Sequence, residues 1–209
     1  MSLDTNGQRI GIFGGTFDPV HQGHLLIAEC IREALALDEV RFMPAAVSPF
    51  KQHVPPSEAK HRVEMVKLAI GGNPDFVCDD REIRRGGTSY TVETLRELQR
   101  EHPDAKLFLM MGADALADLD QWREPAEICR LAFIAVAARG GRPAPNLEVL
   151  QKYLPANEPS DSQQHVVSIP QVDISSSEIR DAIRGGRSIR YQVPASVAAY
   201  IAAHGLYRD

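Results

Sequence analysis

The chain has 209 residues, 44% apolar and 24% charged, proportions of a soluble globular fold large enough for a sizeable core. Its net charge of −5, with lysines and arginines scattered along the chain, offers no basic field for a nucleic-acid duplex. Cys30, Cys78 and Cys129 lie far apart and are odd in number, which points to reduced thiols and not to a disulfide framework or zinc ribbon. No cationic start precedes an apolar stretch, and no apolar run approaches the roughly 18 residues of a membrane span. A cytoplasmic protein with no nucleic-acid or membrane partner is the expectation.

Ile10-Gly11-Ile12-Phe13 reads as a first strand and Leu25 to Leu37 as an amphipathic helix. Between them stands Gly14-Gly15-Thr16-Phe17-Asp18-Pro19-Val20-His21-Gln22-Gly23-His24. Strand, glycine turn, helix is a phosphate-binding order. Paired glycines let backbone N–H groups approach an anion, and the helix start adds partial positive charge. His21 and His24 share one face of a helical turn, so two imidazoles and backbone donors converge on one polyphosphate site. The plainer alternatives are an ordinary strand-to-helix turn and a pair of zinc ligands. The zinc reading lacks the intervening Glu of a zincin helix and a nearby third ligand.

Glu39 to Pro44 reads as the second strand, followed by a proline-rich loop from Ala45 to Ser57 with Pro49, Pro55 and Pro56. A helix is expected over Ala59 to Ile70, a strand at Phe76-Val77-Cys78 and a helix over Thr91 to Glu101 with Val92, Leu95 and Leu98 on one face. Lys106 to Met111 is the most apolar strand and belongs at the centre. Leu131 to Ala137 is a further buried strand, Asn146 to Leu154 a modest helix and His165 to Ile169 a short last strand. Ser175-Ser176-Ser177-Glu178 fits a capping box. Pro194 suits the first position of a final helix and Gly205 its stop. No repeat, low-complexity tract or linker divides the chain, so residues 1–209 read as a single domain. Alternating strands and helices imply an α/β, Rossmann-like, doubly wound parallel sheet with C-terminal helices, which binds ligands beyond the strand carboxyl ends.

Ile174-Ser175-Ser176-Ser177-Glu178-Ile179-Arg180 offers a second anion site: free N–H groups, hydroxyls and an arginine whose rigid fork suits phosphate. A capped surface helix is the alternative. Together with the histidine segment, this stretch resembles the two signature motifs of the nucleotidyltransferase superfamily. The resemblance narrows to the bacterial nicotinate-nucleotide adenylyltransferase family through four segments. These are Gly14 to Leu25, Ser89-Tyr90-Thr91-Val92-Glu93-Thr94-Leu95, Met111-Gly112-Ala113-Asp114-Ala115-Leu116 with Trp122 downstream, and His204-Gly205-Leu206-Tyr207.

The resemblance implies adenylyl transfer from ATP to nicotinate mononucleotide, with deamido-NAD and pyrophosphate as products. Magnesium would be bound mainly through the ATP phosphates and water. By the same resemblance His21, His24 and Arg180 are catalytic. ATP would be held by Gly14, Gly15, Thr16, Phe17, His21, His24, Gly112, Asp114, Ser175, Ser176 and Arg180. Lys51, Tyr90, Thr91, Trp122 and Arg139 would bind the mononucleotide, and no protein metal site is implied. Alternatives stand beside several of these: an N-cap for Asp114, core packing for Trp122, a flexible surface side chain for Arg139. Asp18 is open between a metal contact and ordering of its loop. The family's Pro-Pro-His-Lys stands here as Ser48-Pro49-Phe50-Lys51, which keeps the cation and replaces the imidazole by Phe50. Two other functions compete: transfer to another acceptor such as phosphopantetheine, and a nucleotide-binding regulator without turnover. The latter would be expected to have eroded His21, His24 or Arg180, and all three are present.

Overall fold

The computed structural model describes residues 7–49, 56–141, 144–153 and 164–208, without the side chains of Arg139 and Gln164. Strands β1 (Arg9–Gly15), β2 (Glu39–Pro44), β3 (Phe76–Cys78), β4 (Lys106–Gly112), β5 (Phe133–Arg139) and β6 (Gln164–Ile169) form one sheet. The α-helices among the described residues are α1 (Gln22–Ala34), α2 (Ala59–Ile70), α3 (Arg81–Arg85), α4 (Thr91–Glu101), α5 (Ala113–Ala117), α6 (Pro125–Leu131), α7 (Glu148–Gln151), α8 (Ser176–Arg184) and α9 (Ala195–His204), with a 3-10 turn at Leu119–Gln121.

All strand pairs are parallel, in the order β3-β2-β1-β4-β5-β6. Parallel strands need helical crossovers, so both faces are covered and the strands are apolar on both sides. The two-residue period of a strand divides the core accordingly. Leu107, Leu109 and Met111 join Ile10, Ile12, Val92 and Leu95 on one face. Phe108 and Met110 join Phe13, Phe42, Ile31, Met65 and Val197 on the other. The winding order of the sheet reverses between β1 and β4, where successive strands stop being added on one side and start on the other. The crevice beyond their carboxyl ends, at Gly15 and Gly112, is the place where such a sheet binds ligands. The apolar strand expected at the centre is β4, flanked by β1 and β5.

Boundaries differ in ways that bear on the site. Gly14 and Gly15 are not a turn. They pair with Met43 and Pro44 as the end of β1, because β2 is long enough to carry the parallel ladder to them. The turn begins at Thr16, and α1 begins at Gln22 with His21 as N-cap, ahead of the Leu25 expected from the apolar period. Strand β5 starts at Phe133 because α6 occupies the chain up to Leu131. Helix α7 covers only Glu148–Gln151, and Leu154 lies outside the described residues. Pro194 is the N-cap of α9 and not its first residue, while Gly205 ends it at φ 62, the left-handed conformation expected of a stop glycine.

Candidate active site

Two cavities open at the carboxyl ends of β1 and β4. The larger, about 820 Å³, is bordered by Gly15, Thr16, Phe17, His21, His24, Ser175, Ser176 and Arg180. The smaller, about 540 Å³, is bordered by Gly14, Tyr90, Thr91, Gly112 and Trp122. Gly15, Thr16 and Ser48 border both, so the end of β1 is their common wall.

The histidine segment is shaped by local packing. Phe17 sits at φ 50, an uncommon conformation for a bulky residue, and is held there by burial. Its ring meets His24 edge-on at 5.1 Å and covers Gly15, where an added Cβ would come within 2.9 Å of the ring. The His21 and His24 rings stack with centroids 3.7 Å apart. Gly23 leaves room for this packing: a Cβ there would stand 3.1 Å from His21 Nδ1, so the ring would have to shift slightly. The His21 backbone N–H donates to His24 Nδ1 at 3.2 Å. With Nδ1 accepting, the neutral His24 ring carries its proton on Nε2, which makes that nitrogen a donor. The Gln22 N–H, one of the first donors of α1, goes to the Gln192 carbonyl at 2.9 Å.

Helix α8 supplies the opposite wall. Ser175 caps it by accepting from the Glu178 N–H at 3.2 Å, and its hydroxyl donates to the Glu178 carboxylate at 2.9 Å. The N-cap half of the expected capping box is present, whereas Glu178 returns to the Ser175 hydroxyl instead of its backbone N–H; Ser175 borders the cavity. The Ser176 hydroxyl donates to the Pro19 carbonyl at 2.8 Å, and Arg180 donates to the Asp18 carbonyl at 2.7 Å and to Ser177 Oγ at 3.2 Å. The two sequence motifs thus meet through direct hydrogen bonds, and the remaining N–H groups of the Arg180 fork are suited to an anion.

Around the smaller cavity, Tyr90 is the N-cap of α4 and Thr91 its first residue. The Arg123 guanidinium lies 4.6 Å from the Tyr90 ring centre and is paired with Glu93 at 2.8 Å. Trp122 is half-buried, packed on the core at one side and bordering the cavity at the other. Asp114 lies exposed in the first turn of α5, whose N-cap is Gly112, and borders neither cavity. Lys51 and Phe50 lie outside the described residues, as does the side chain of Arg139 at the end of β5.

A family model described as cytidylyltransferase-like matches residues 12–182. A protein of Rhodopirellula baltica named "Probable nicotinate-nucleotide adenylyltransferase" is 45% identical over 199 residues, covering 95% of this chain and 93% of the relative. Proteins of the same name from Roseiflexus sp. and Thermus thermophilus are 47% and 44% identical, covering 95% and 96% of this chain and 98% and 100% of their own lengths. The chain belongs to the nicotinate-nucleotide adenylyltransferase family. In fold it matches a solved structure titled as Plasmodium falciparum nicotinic acid mononucleotide adenylyltransferase complexed with NaAD. That match has a TM-score of 0.78 at 20% identity and covers 96% of this chain and 97% of the other.

The residues that brace this site lie partly outside the nicotinate-nucleotide adenylyltransferase motifs. Arg62 of α2 is 1% exposed, and burial pulls its pKa down. It donates to three carbonyls from three segments: Ser57 at 3.0 Å, Thr16 at 2.9 Å and Ala46 at 3.5 Å. The Asp18 carboxylate accepts from the Tyr207 hydroxyl at 2.7 Å and the Ser57 N–H at 3.2 Å, so Asp18 does order its loop. Burial, reinforced by Asp18, raises the Tyr207 pKa and keeps the phenol a donor. Tyr207 lay within a quoted family segment but carried no assigned role. Arg62 falls among the apolar residues of an amphipathic helix, where nothing in the periodicity separates a buried arginine from an exposed one.

Proposed function

We propose that the larger cavity takes ATP and the smaller one nicotinate mononucleotide, with the reacting phosphorus presented at their shared wall of Gly15 and Thr16. The chain is an adenylyltransferase of NAD biosynthesis. An oxygen of the mononucleotide phosphate attacks the α-phosphorus of ATP, the bond to the β-phosphate breaks, and deamido-NAD and pyrophosphate leave. The adjoining cavities with one common wall are the observation that carries this assignment. Two bound polyanions held next to each other need positioning and charge stabilisation more than a covalent nucleophile.

His24, donating from Nε2, and the stacked His21 would stabilise charge on the triphosphate during transfer. Arg180, Ser175 and Ser176 would bind the outer phosphates at the α8 start. Tyr90, Thr91 and Trp122 would hold the pyridine ring and its carboxylate, with Lys51 and Arg139 meeting the mononucleotide phosphate. Gly112 and Asp114 would meet the ribose or adenine of ATP and Gly14 its phosphates, with Gly14 and Gly112 at strand ends that also border the smaller cavity. Magnesium enters as part of the MgATP substrate. It favours phosphate oxygens and water, and no group of three His, Cys, Asp or Glu among the described residues is placed to hold a metal ion. Residues 1–209 are read as one domain. We place the protein in the cytoplasm, which suits three free cysteines.

The test is product formation by the purified protein with MgATP and nicotinate mononucleotide. Deamido-NAD and pyrophosphate in equal amounts are expected. Turnover with phosphopantetheine but not with the mononucleotide would contradict the assignment.

A further inference from the structure

Glu82 of α3 is a carboxylate that the proposed transfer does not use. It is 7% exposed and borders the smaller cavity. The Thr94 hydroxyl donates to it at 2.7 Å, and the Ser89 hydroxyl hydrogen-bonds the same carboxylate. Both partners are buried. Arg85 stands 3.9 Å away and donates to Thr94 Oγ1 at 2.8 Å, which partly balances the charge. Ser89 reaches further: its Oγ accepts from the Ala46 N–H at 2.9 Å, and its own N–H donates to the Val47 carbonyl at 2.9 Å. Ala46 is held from its other side by Arg62.

Glu82 thus ties together two walls of the cavity. One is the loop after β2, at Ala46 and Val47. The other is the start of α4, where Ser89 precedes Tyr90 and Thr91. A buried carboxylate is costly unless hydrogen-bonded, and its charge-assisted bonds are stronger than those an amide would make. A carboxylate in this place makes the spacing of the two walls stiff. We propose that Glu82 is a positioning residue for the acceptor substrate: it holds the start of α4 and the loop after β2 at the separation that nicotinate mononucleotide requires. This rests on reading the smaller cavity as the acceptor site.

Steady-state kinetics of Glu82→Ala, Glu82→Gln and Thr94→Val, with each substrate varied in turn, test the proposal. Glu82→Ala is expected to raise KM for the mononucleotide about 10- to 100-fold and leave KM for ATP within about twofold, a loss on the scale of a misplaced substrate. Glu82→Gln, nearly isosteric, keeps one acceptor oxygen and should recover much of the loss. Thr94→Val should raise the same KM by less than Glu82→Ala. Parallel rises in both KM values, or an unchanged mononucleotide KM in Glu82→Gln and Thr94→Val, would overturn the proposal. If Glu82→Ala does not fold, the other two variants decide. A wild-type protein that forms no deamido-NAD would instead strike the acceptor-site reading itself.

Discussion

The two cavities are built in different ways. The groups proposed to bind phosphate in the larger one come from two contiguous stretches, Gly15 to His24 and Ser175 to Arg180, although its lining also takes in the loop after β2, the end of β6 and Tyr207. The lining of the smaller, proposed for the mononucleotide, comes from the ends of β1 and β4, the loop after β2, Glu82, the start of α4 and the segment Gln121 to Arg123. A triphosphate is bound by repeated, locally generated donors: helix starts, an N-cap hydroxyl, an arginine fork, imidazoles. A specific mononucleotide must be read by a surface assembled from distant segments, so its recognition depends on how those segments are braced. The donor side should therefore fail sharply at single residues. The acceptor side should fail in affinity and spread the loss.

The largest expected effect follows from that contrast. His24→Ala should lower kcat by about 10²–10³-fold, the scale of losing one preorganised donor to a developing charge, and weaken ATP binding far less. A near-normal kcat would remove His24 from the chemistry. Next is Arg180→Ala, which should weaken ATP and pyrophosphate binding by about 1.5–3 kcal/mol, a charged hydrogen bond's worth. Lysine should restore only part of this, because it lacks the fork. Calorimetric titration of the alanine variant with unchanged affinity would reduce α8 to a capped surface helix. The smallest effect is on the acceptor side. Trp122→Ala should cost about 0.5–1.5 kcal/mol of stacking and raise KM for nicotinate and nicotinamide mononucleotides alike. A change in the ratio between the two would mean that Trp122 reads the acid group as well as the ring.

The same contrast governs what the sequence discloses. The donor side is legible because its chemistry is local: an N-cap serine with Glu three residues on, histidines spaced around one glycine, a glycine stop at the last helix. Even there the boundary slipped. A parallel partner strand extends β1 through Gly14 and Gly15, and His21 starts α1 ahead of its apolar period. Such features depend on a neighbouring strand and on a ring packed over Gly23, neither of which is visible in periodicity. On the acceptor side the motif residues Tyr90, Thr91 and Trp122 are brought together, but the braces are not readable. Arg62 and Glu82 act through hydrogen bonds that cross between segments, and a charged residue in a helix gives no sign of being buried; Tyr207, which borders the larger cavity, braces Asp18 by such a bond too. Asp114, within a family segment, is exposed in the first turn of α5, a placement the sequence does not disclose.

The most direct test is the acid-against-amide preference of the unmodified protein. Nicotinate and nicotinamide mononucleotide differ only in a carboxylate or carboxamide on the pyridine. In the proposed pose that group lies at the N-terminus of α4, beside Tyr90 and Thr91, where backbone N–H groups and partial positive charge favour an anion. A carboxamide turning its NH₂ toward those donors would leave a desolvated mismatch costing about 1–3 kcal/mol. With MgATP saturating, kcat/KM for nicotinate mononucleotide should exceed that for the amide by roughly ten- to a hundredfold or more. Equal values for the two would contradict recognition of the carboxylate at the start of α4, even with adenylyl transfer intact.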